Sequence, residues 1–120
     1  MKHVIYVDAG YREGVGGHIA WFNKTTDKKF YDKREYKDSF RCEYEAIIQA
    51  LKDHEEIIKD NEIEILIDSK VVAEQLNHKS AMNSDDIRDM AFKIWNMTGK
   101  NIRFLWIQRK DNKAGKILGS

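Results

Sequence analysis

The sequence predicts an α/β fold, a mixed five-stranded sheet in which an antiparallel three-strand meander is joined to parallel strands and flanked by helices. Two observations carry this. The first third of the chain reads as three β-rich runs separated by short glycine-rich or polar turns. From residue 40 onward, helical periodicity alternates with short apolar runs, the pattern of strands linked by helices. The length of 120 residues, 42% of them apolar, suits one hydrophobic core and predicts a single domain over 1–120.

Residues 2–7 (Lys-His-Val-Ile-Tyr-Val) form the first expected strand, ending at Asp8 with a turn at Ala9-Gly10. Residues 15–22 give a second strand, 24–28 a polar turn, and 30–36 a third, more charged strand. Ser39 is a candidate helix N-cap, and Tyr44, Ile47, Ile48, Leu51 and Ile58 recur at helical spacing, predicting a helix over about 40–60. Residues 62–67 alternate acidic and apolar as a fourth strand. Asp68-Ser69 then caps a short helix carrying Val71, Val72 and Leu76. Ser84 caps a helix with Ile87, Met90, Ala91, Ile94 and Trp95, stopped by Gly99. Residues 102–107 are a fifth strand, and 112–118 can form one or two last helical turns.

Composition excludes several functions. The net charge of +1 announces no polyanionic partner by itself. No apolar run is long enough to span a membrane, and the N-terminal apolar stretch is too short for a secretory signal. The single cysteine, Cys42, excludes a disulfide framework and any multi-cysteine metal site, so a reducing, cytoplasmic setting is expected. Charge is uneven, however. Residues 43–64 hold eight acids against two lysines, and residues 100–116 hold six bases against Asp111. Such runs are ordinarily solvated faces, but a basic C-terminal edge also suits a phosphate backbone.

Three acids stand where a site can form. Asp8 and Asp68 end expected strands, where ligands of α/β sheets collect. Glu43 lies at helical spacing from Ile47 and Ala50 and so leans toward the sheet, whereas Glu45 aligns with Gln49, Lys52 and Glu56 on a face expected to meet water. Three converging carboxylates repel one another unless a cation neutralises them. A set of oxygen ligands selects Mg2+ or Mn2+, and paired ions of this kind drive phosphodiester hydrolysis. Taken singly, the same residues also read as a turn Asp8, a capping Asp68 and a flanking Glu43.

Four segments together resemble the ribonuclease H type 1 family over nearly the whole chain. They are Ile5-Tyr6-Val7-Asp8-Ala9-Gly10, Cys42-Glu43-Tyr44-Glu45-Ala46 with the apolar residues after it, Ile65-Leu66-Ile67-Asp68-Ser69-Lys70-Val71-Val72, and Trp106-Ile107-Gln108-Arg109-Lys110-Asp111-Asn112-Lys113-Ala114-Gly115. The resemblance implies an RNase H-like fold and endonucleolytic cleavage of the RNA strand of an RNA–DNA hybrid, with two Mg2+ (or Mn2+) ions. It implies that Asp8, Glu43 and Asp68 are catalytic metal ligands, Asp8 bridging the ions. It places Ser69, Arg109, Lys110 and Asn112 at the nucleic-acid backbone, and recognition would rest on hybrid shape, phosphate and 2′-OH.

The chain departs from the family in four places. The turn after Asp8 is Ala9-Gly10 rather than glycine first, and Arg109 and Lys110 stand in a loop where many members carry a histidine. The fourth carboxylate expected after Ala114 is Gly115, leaving Asp111 as the one nearby acid that could substitute, and no basic helix-loop lies between Asp68 and Gly115. The second expectation is therefore an RNase H-like domain with impaired catalysis that binds nucleic acid or a protein without turnover. Other readings are weaker. The Gly10–Gly17 run precedes a strand and lacks the Gly-Lys-Ser/Thr of a phosphate loop. Cys42 reads as a buried helix residue, the four histidines as structural or surface groups, and Trp21, Trp95 and Trp106 as core or sheet-face residues, any exposed one being able to stack on bases.

Overall fold

The computed structural model describes residues 1–14, 16–35 and 38–119. Strand β1 (Lys2–Arg12), β2 (Gly16–Asn23) and β3 (Lys28–Arg34) form the antiparallel meander. Helix α1 (Ser39–Asp53) and the single-turn α2 (Glu55–Ile58) lead to β4 (Glu62–Ile67). Then come α3 (Lys70–Leu76), α4 (Asp85–Met97) and β5 (Ile102–Trp106), followed by a 3-10 turn over Arg109–Asp111. The sheet order is β3-β2-β1-β4-β5, with β1, β4 and β5 parallel. This is the expected mixed sheet.

Alternation along the strands gives the sheet two unequal faces. One face buries Ile5, Val7, Ile19, Trp21, Ile63, Ile65 and Phe104 under α1, α3 and α4. The buried stripe of α1 (Cys42, Tyr44, Ala46, Ile47, Ile48, Ala50 and Leu51) completes that core. The Tyr44 hydroxyl donates to Gln75 Oε1 at 2.6 Å, which ties α3 to α1. The other face buries Tyr6, Ala20 and Ala114, with Phe22, Leu66, Ile107, Ile117 and Leu118 packed around them. Among the described residues no helix is long and apolar enough to cross a membrane.

Several boundaries differ from expectation for identifiable reasons. β1 does not stop at Asp8. It runs on to Arg12 because β2 keeps pairing with it, from Asp8↔Ala20 to Arg12↔Gly16, after the ladder to β4 has ended at Val7↔Ile67. The cap of α1 is Asp38, not Ser39, its side chain accepting from Arg41 N at 2.8 Å. The expected 40–60 helix breaks at His54, whose imidazole Nδ1 binds the Ala50 carbonyl at 2.6 Å. Glu45 faces β3 rather than open water and stands 3.6 Å from Arg34. The last segment folds as successive i→i+3 turns, Ala114 to Ile117 among them, rather than as an α-helix. The expected ends of β2 at Val15 and of β3 at Tyr36 lie outside the described residues.

Candidate active site

The end of the β1–β4 ladder creates the site. Val7↔Ile67 is its last rung, so the next residues, Asp8 and Asp68, come side by side just past it, Asp68 leaving the sheet while Asp8 stays paired with β2. Their carboxylates are within hydrogen-bond reach of each other. Asp8 is only 6% exposed, and its Oδ1 accepts from Ala9 N at 2.9 Å. Ser69 caps α3, its hydroxyl accepting from Val72 N at 3.4 Å and bonding to the Glu43 carboxylate. Glu43 thus reaches the strand ends from the first turns of α1, as its helical position predicts. A cleft of about 360 Å³ joins Asp8, Glu43, Asp68, Ser69 and Arg109, with Gly10, Tyr11 and Ser39 along its rim.

Asp8 and Glu43 hold their protons above the usual carboxylate range. Burial, followed by the charge of Asp68, pushes Asp8 up to about 6. Burial also pushes Glu43 up to about 7, against the Ser69 hydrogen bond, with Asp68 and Asp8 adding to the rise. Arg109 lowers both but does not cancel the effect. Negative charge has therefore been concentrated where the protein itself supplies too little positive charge to hold it.

The donor set suits a hard divalent cation, since the cleft offers carboxylate, hydroxyl and backbone oxygens and no imidazole or thiol. Among the described residues, no three His, Cys, Asp or Glu side chains already close about one point as a metal site would. Asp8 and Asp68 touch, while Glu43 is bonded to Ser69 in the same cleft.

The residues expected at the backbone of a nucleic acid divide into three sets. Ser69 and Arg109 line the cleft. Lys110 and Asp111 line a depression separate from the cleft, with Tyr6, Asn112, Lys113 and Lys116. Asn112 is 4% exposed, and its amide nitrogen donates to Val7 O at 2.8 Å and to Asp68 Oδ2 at 3.1 Å, while its Oδ1 accepts from Ala114 N at 3.0 Å. It works on the protein side of the site, aiming Asp68. Gly115, also buried, carries no side chain to present there.

The sequence profile of the reverse transcriptase-like family matches residues 28–119. The chain belongs to this family. Its fold is RNase H-like. The RNase H1 of the halophilic archaeon Halobacterium salinarum NRC-1 superposes with a TM-score of 0.86 at 22% identity, covering 98% of this chain and 94% of that one. LC11-RNase H1 in complex with an RNA/DNA hybrid gives a TM-score of 0.82 at 22% identity, covering 97% and 99%. The N-terminal RNase H domain of rv2228c from Mycobacterium tuberculosis, as a fusion with maltose-binding protein, gives 0.82 at 22%, covering 95% and 92%. No curated protein sequence matches the chain.

Within this RNase H-like frame, two supports escaped the sequence reading. Trp106, 49% exposed, donates its indole N–H to Asp68 O at 3.2 Å and so holds the backbone of the second acid. Gly10 leaves room for His18, whose Nε2 would stand 2.8 Å from a β-carbon there. The register Gly10↔His18 is the only signal that could have found the second, and it needs the β1–β2 pairing first. The Trp106 bond follows from its pairing with Ile67, one residue before Asp68.

Proposed function

We propose that this protein is a metal-dependent endonuclease that hydrolyses the RNA strand of RNA–DNA hybrids. The observation that carries the reading is the cleft in which Asp8, Glu43 and Asp68 are gathered, with the proton affinities of Asp8 and Glu43 raised by burial and by the neighbouring carboxylates. Asp8, Glu43 and Asp68 would hold Mg2+ or Mn2+, two ions with substrate. When bound, such a pair supplies an activated water at neutral pH and stabilises the leaving oxygen. The chain's own groups do the rest. Asn112 and Trp106 keep Asp68 aimed into the cleft. Ser69 orients Glu43. Arg109, and Lys110 beside it, meet phosphate and sugar, so that hybrid shape and the 2′-OH decide what enters. The lone Cys42, buried and unpaired, supports a reducing, cytoplasmic setting.

One observation favours a second reading, binding without turnover. The fourth acid is absent at Gly115, and Asp111 lies in the neighbouring depression. Cleavage of a labelled RNA–DNA hybrid across Mg2+ and Mn2+ titrations separates the two. The nuclease cuts the RNA strand only with metal, and the Asp68→Asn variant does not cut. A folded wild-type protein that binds hybrid but cuts nothing at any metal concentration would overturn the nuclease and leave the binding domain.

A further inference from the structure

The face of the sheet turned away from α1 carries a second, basic surface. On β3, Phe30 and Arg34 point toward α1, where Phe30 stacks on Trp21 (6.1 Å between ring centroids, 9° between planes) and Arg34 bonds Gln49 at 2.7 Å. Alternation therefore turns Lys29, Tyr31 and Lys33 to the opposite face, opposite Phe22, Ala20 and His18 of β2. Tyr31 is 45% exposed and meets His18 edge-on (6.0 Å, 78°). Across from them stands the C-terminal segment. Lys113 and Lys116 close a groove of about 350 Å³ over Phe22, Lys29 and Ile117. The same two lysines wall a depression of about 310 Å³ with Tyr6 and Lys110. Tyr6 and Phe22 are stacked beneath both (6.3 Å, 27°).

Among the described residues, Lys29, Lys33, Lys110, Lys113 and Lys116 enter no ion pair, although seven such pairs hold other charges. Lysines on an edge strand deter unwanted strand pairing, which accounts for Lys29 and Lys33. It does not account for Lys113 and Lys116, which lie on a different segment and converge on the same groove. Unpaired cations beside an exposed aromatic ring, here Tyr31, are the chemistry that holds a single nucleic-acid strand, phosphates on the lysines and a base on the ring. A duplex would keep its base faces from Tyr31.

We propose that this groove binds a single strand of nucleic acid, its phosphates running along Lys29, Lys33, Lys113 and Lys116 and a base resting on Tyr31. Arg109 lines the carboxylate cleft and Lys110 lines the depression that shares Lys113 and Lys116 with the groove, so one loop runs between the two sites. The inference goes beyond the nuclease reading and does not need cleavage to be correct.

The test is fluorescence anisotropy of a labelled oligothymidylate of about 12 nucleotides, with divalent cations chelated and salt varied. The wild-type chain should bind with an affinity that falls steeply with salt. A Lys29→Ala/Lys113→Ala/Lys116→Ala variant should bind at least tenfold more weakly and flatten the logarithmic salt dependence by about 2, the loss expected for three phosphate contacts. The matching triple arginine variant should keep binding, and Tyr31→Ala should weaken it roughly fivefold or more, as loss of one stacked base does. Equal binding by the wild type and the triple alanine variant would overturn the proposal. So would polyglutamate binding as tightly as the oligonucleotide, which would assign the groove to an acidic protein segment. A chain that binds the oligonucleotide as described yet cuts no hybrid with either Mg2+ or Mn2+ overturns the nuclease reading alone.

Discussion

Two buried polar clusters sit at opposite ends of the β1–β4 ladder, and they are built on opposite principles. At one end His3, Asn23 and His54 form a closed set. The Asn23 amide nitrogen donates to His3 Nδ1 and to His54 Nε2, both at 3.2 Å, and the far side of His54 donates to the Ala50 carbonyl. Asn23 Oδ1 in turn accepts from Thr25 N and Thr26 N. Every group has a partner of the right kind, and no charge is needed. At the other end Asp8, Asp68 and Glu43 bring like charges together and leave two of them holding protons near neutral pH. A cluster that only served stability would resemble the first. The second is stable only when something else arrives, which is why it reads as a site.

The two ends should therefore answer pH with opposite signs. Asp8 and Glu43 bind protons more tightly in the folded chain than in the unfolded one, so without divalent cations they destabilise the fold as pH rises from about 4 to about 7. At about 1.4 kcal/mol for each tenfold change in proton affinity, the loss amounts to several kcal/mol. Urea unfolding with chelator across that range measures it, and Asp8→Asn removes much of the slope. Burial lowers the His54 proton affinity in the folded chain, so this end loses stability in the other direction, as pH falls below about 6.5. In Asp8→Asn the histidine response should emerge as acid sensitivity.

Asn23→Ala breaks the closed cluster. It strips two imidazole nitrogens and two turn N–H groups of a partner at a fully buried position and should lower unfolding free energy by about 3 kcal/mol. Cleavage per folded molecule should be unaffected. Asn112→Ala is the counterpart at the carboxylate end. It releases Asp68 and should reduce hybrid cleavage about 10- to 100-fold, as loss of a group that aims a metal ligand does. Arg41 bonds Asp38 and Asp86 on the surface, joining α1 to α4 away from both clusters. Arg41→Ala should cost less than about 1 kcal/mol in thermal melts.

The sequence made the sheet legible because alternation and helical period survive in it almost undisturbed. It also made Asp8, Glu43 and Asp68 legible, since strand ends and helix faces are local properties. What it hid was set by partners distant in the chain. β1 outruns its expected end because β2 goes on pairing with it. Glu45 meets Arg34 because β3 folds back against α1. Asn112 reads as a ligand-facing loop residue until the turn after it buries its amide between Val7 and Asp68. The histidines read singly as structural or surface groups, and only pairing of β1 with β2 brings His3 to Asn23.

We propose that the carboxylate end is held in a charge conflict that a divalent cation relieves. Titration calorimetry with Mn2+ at pH 6.5, run in two buffers of different ionisation enthalpy, tests it most directly. The account predicts saturable binding that releases protons from Asp8 and Glu43, and loss of both binding and release in Asp68→Asn. No binding by the folded wild-type chain, or binding that releases no protons and survives in the variant, would contradict it.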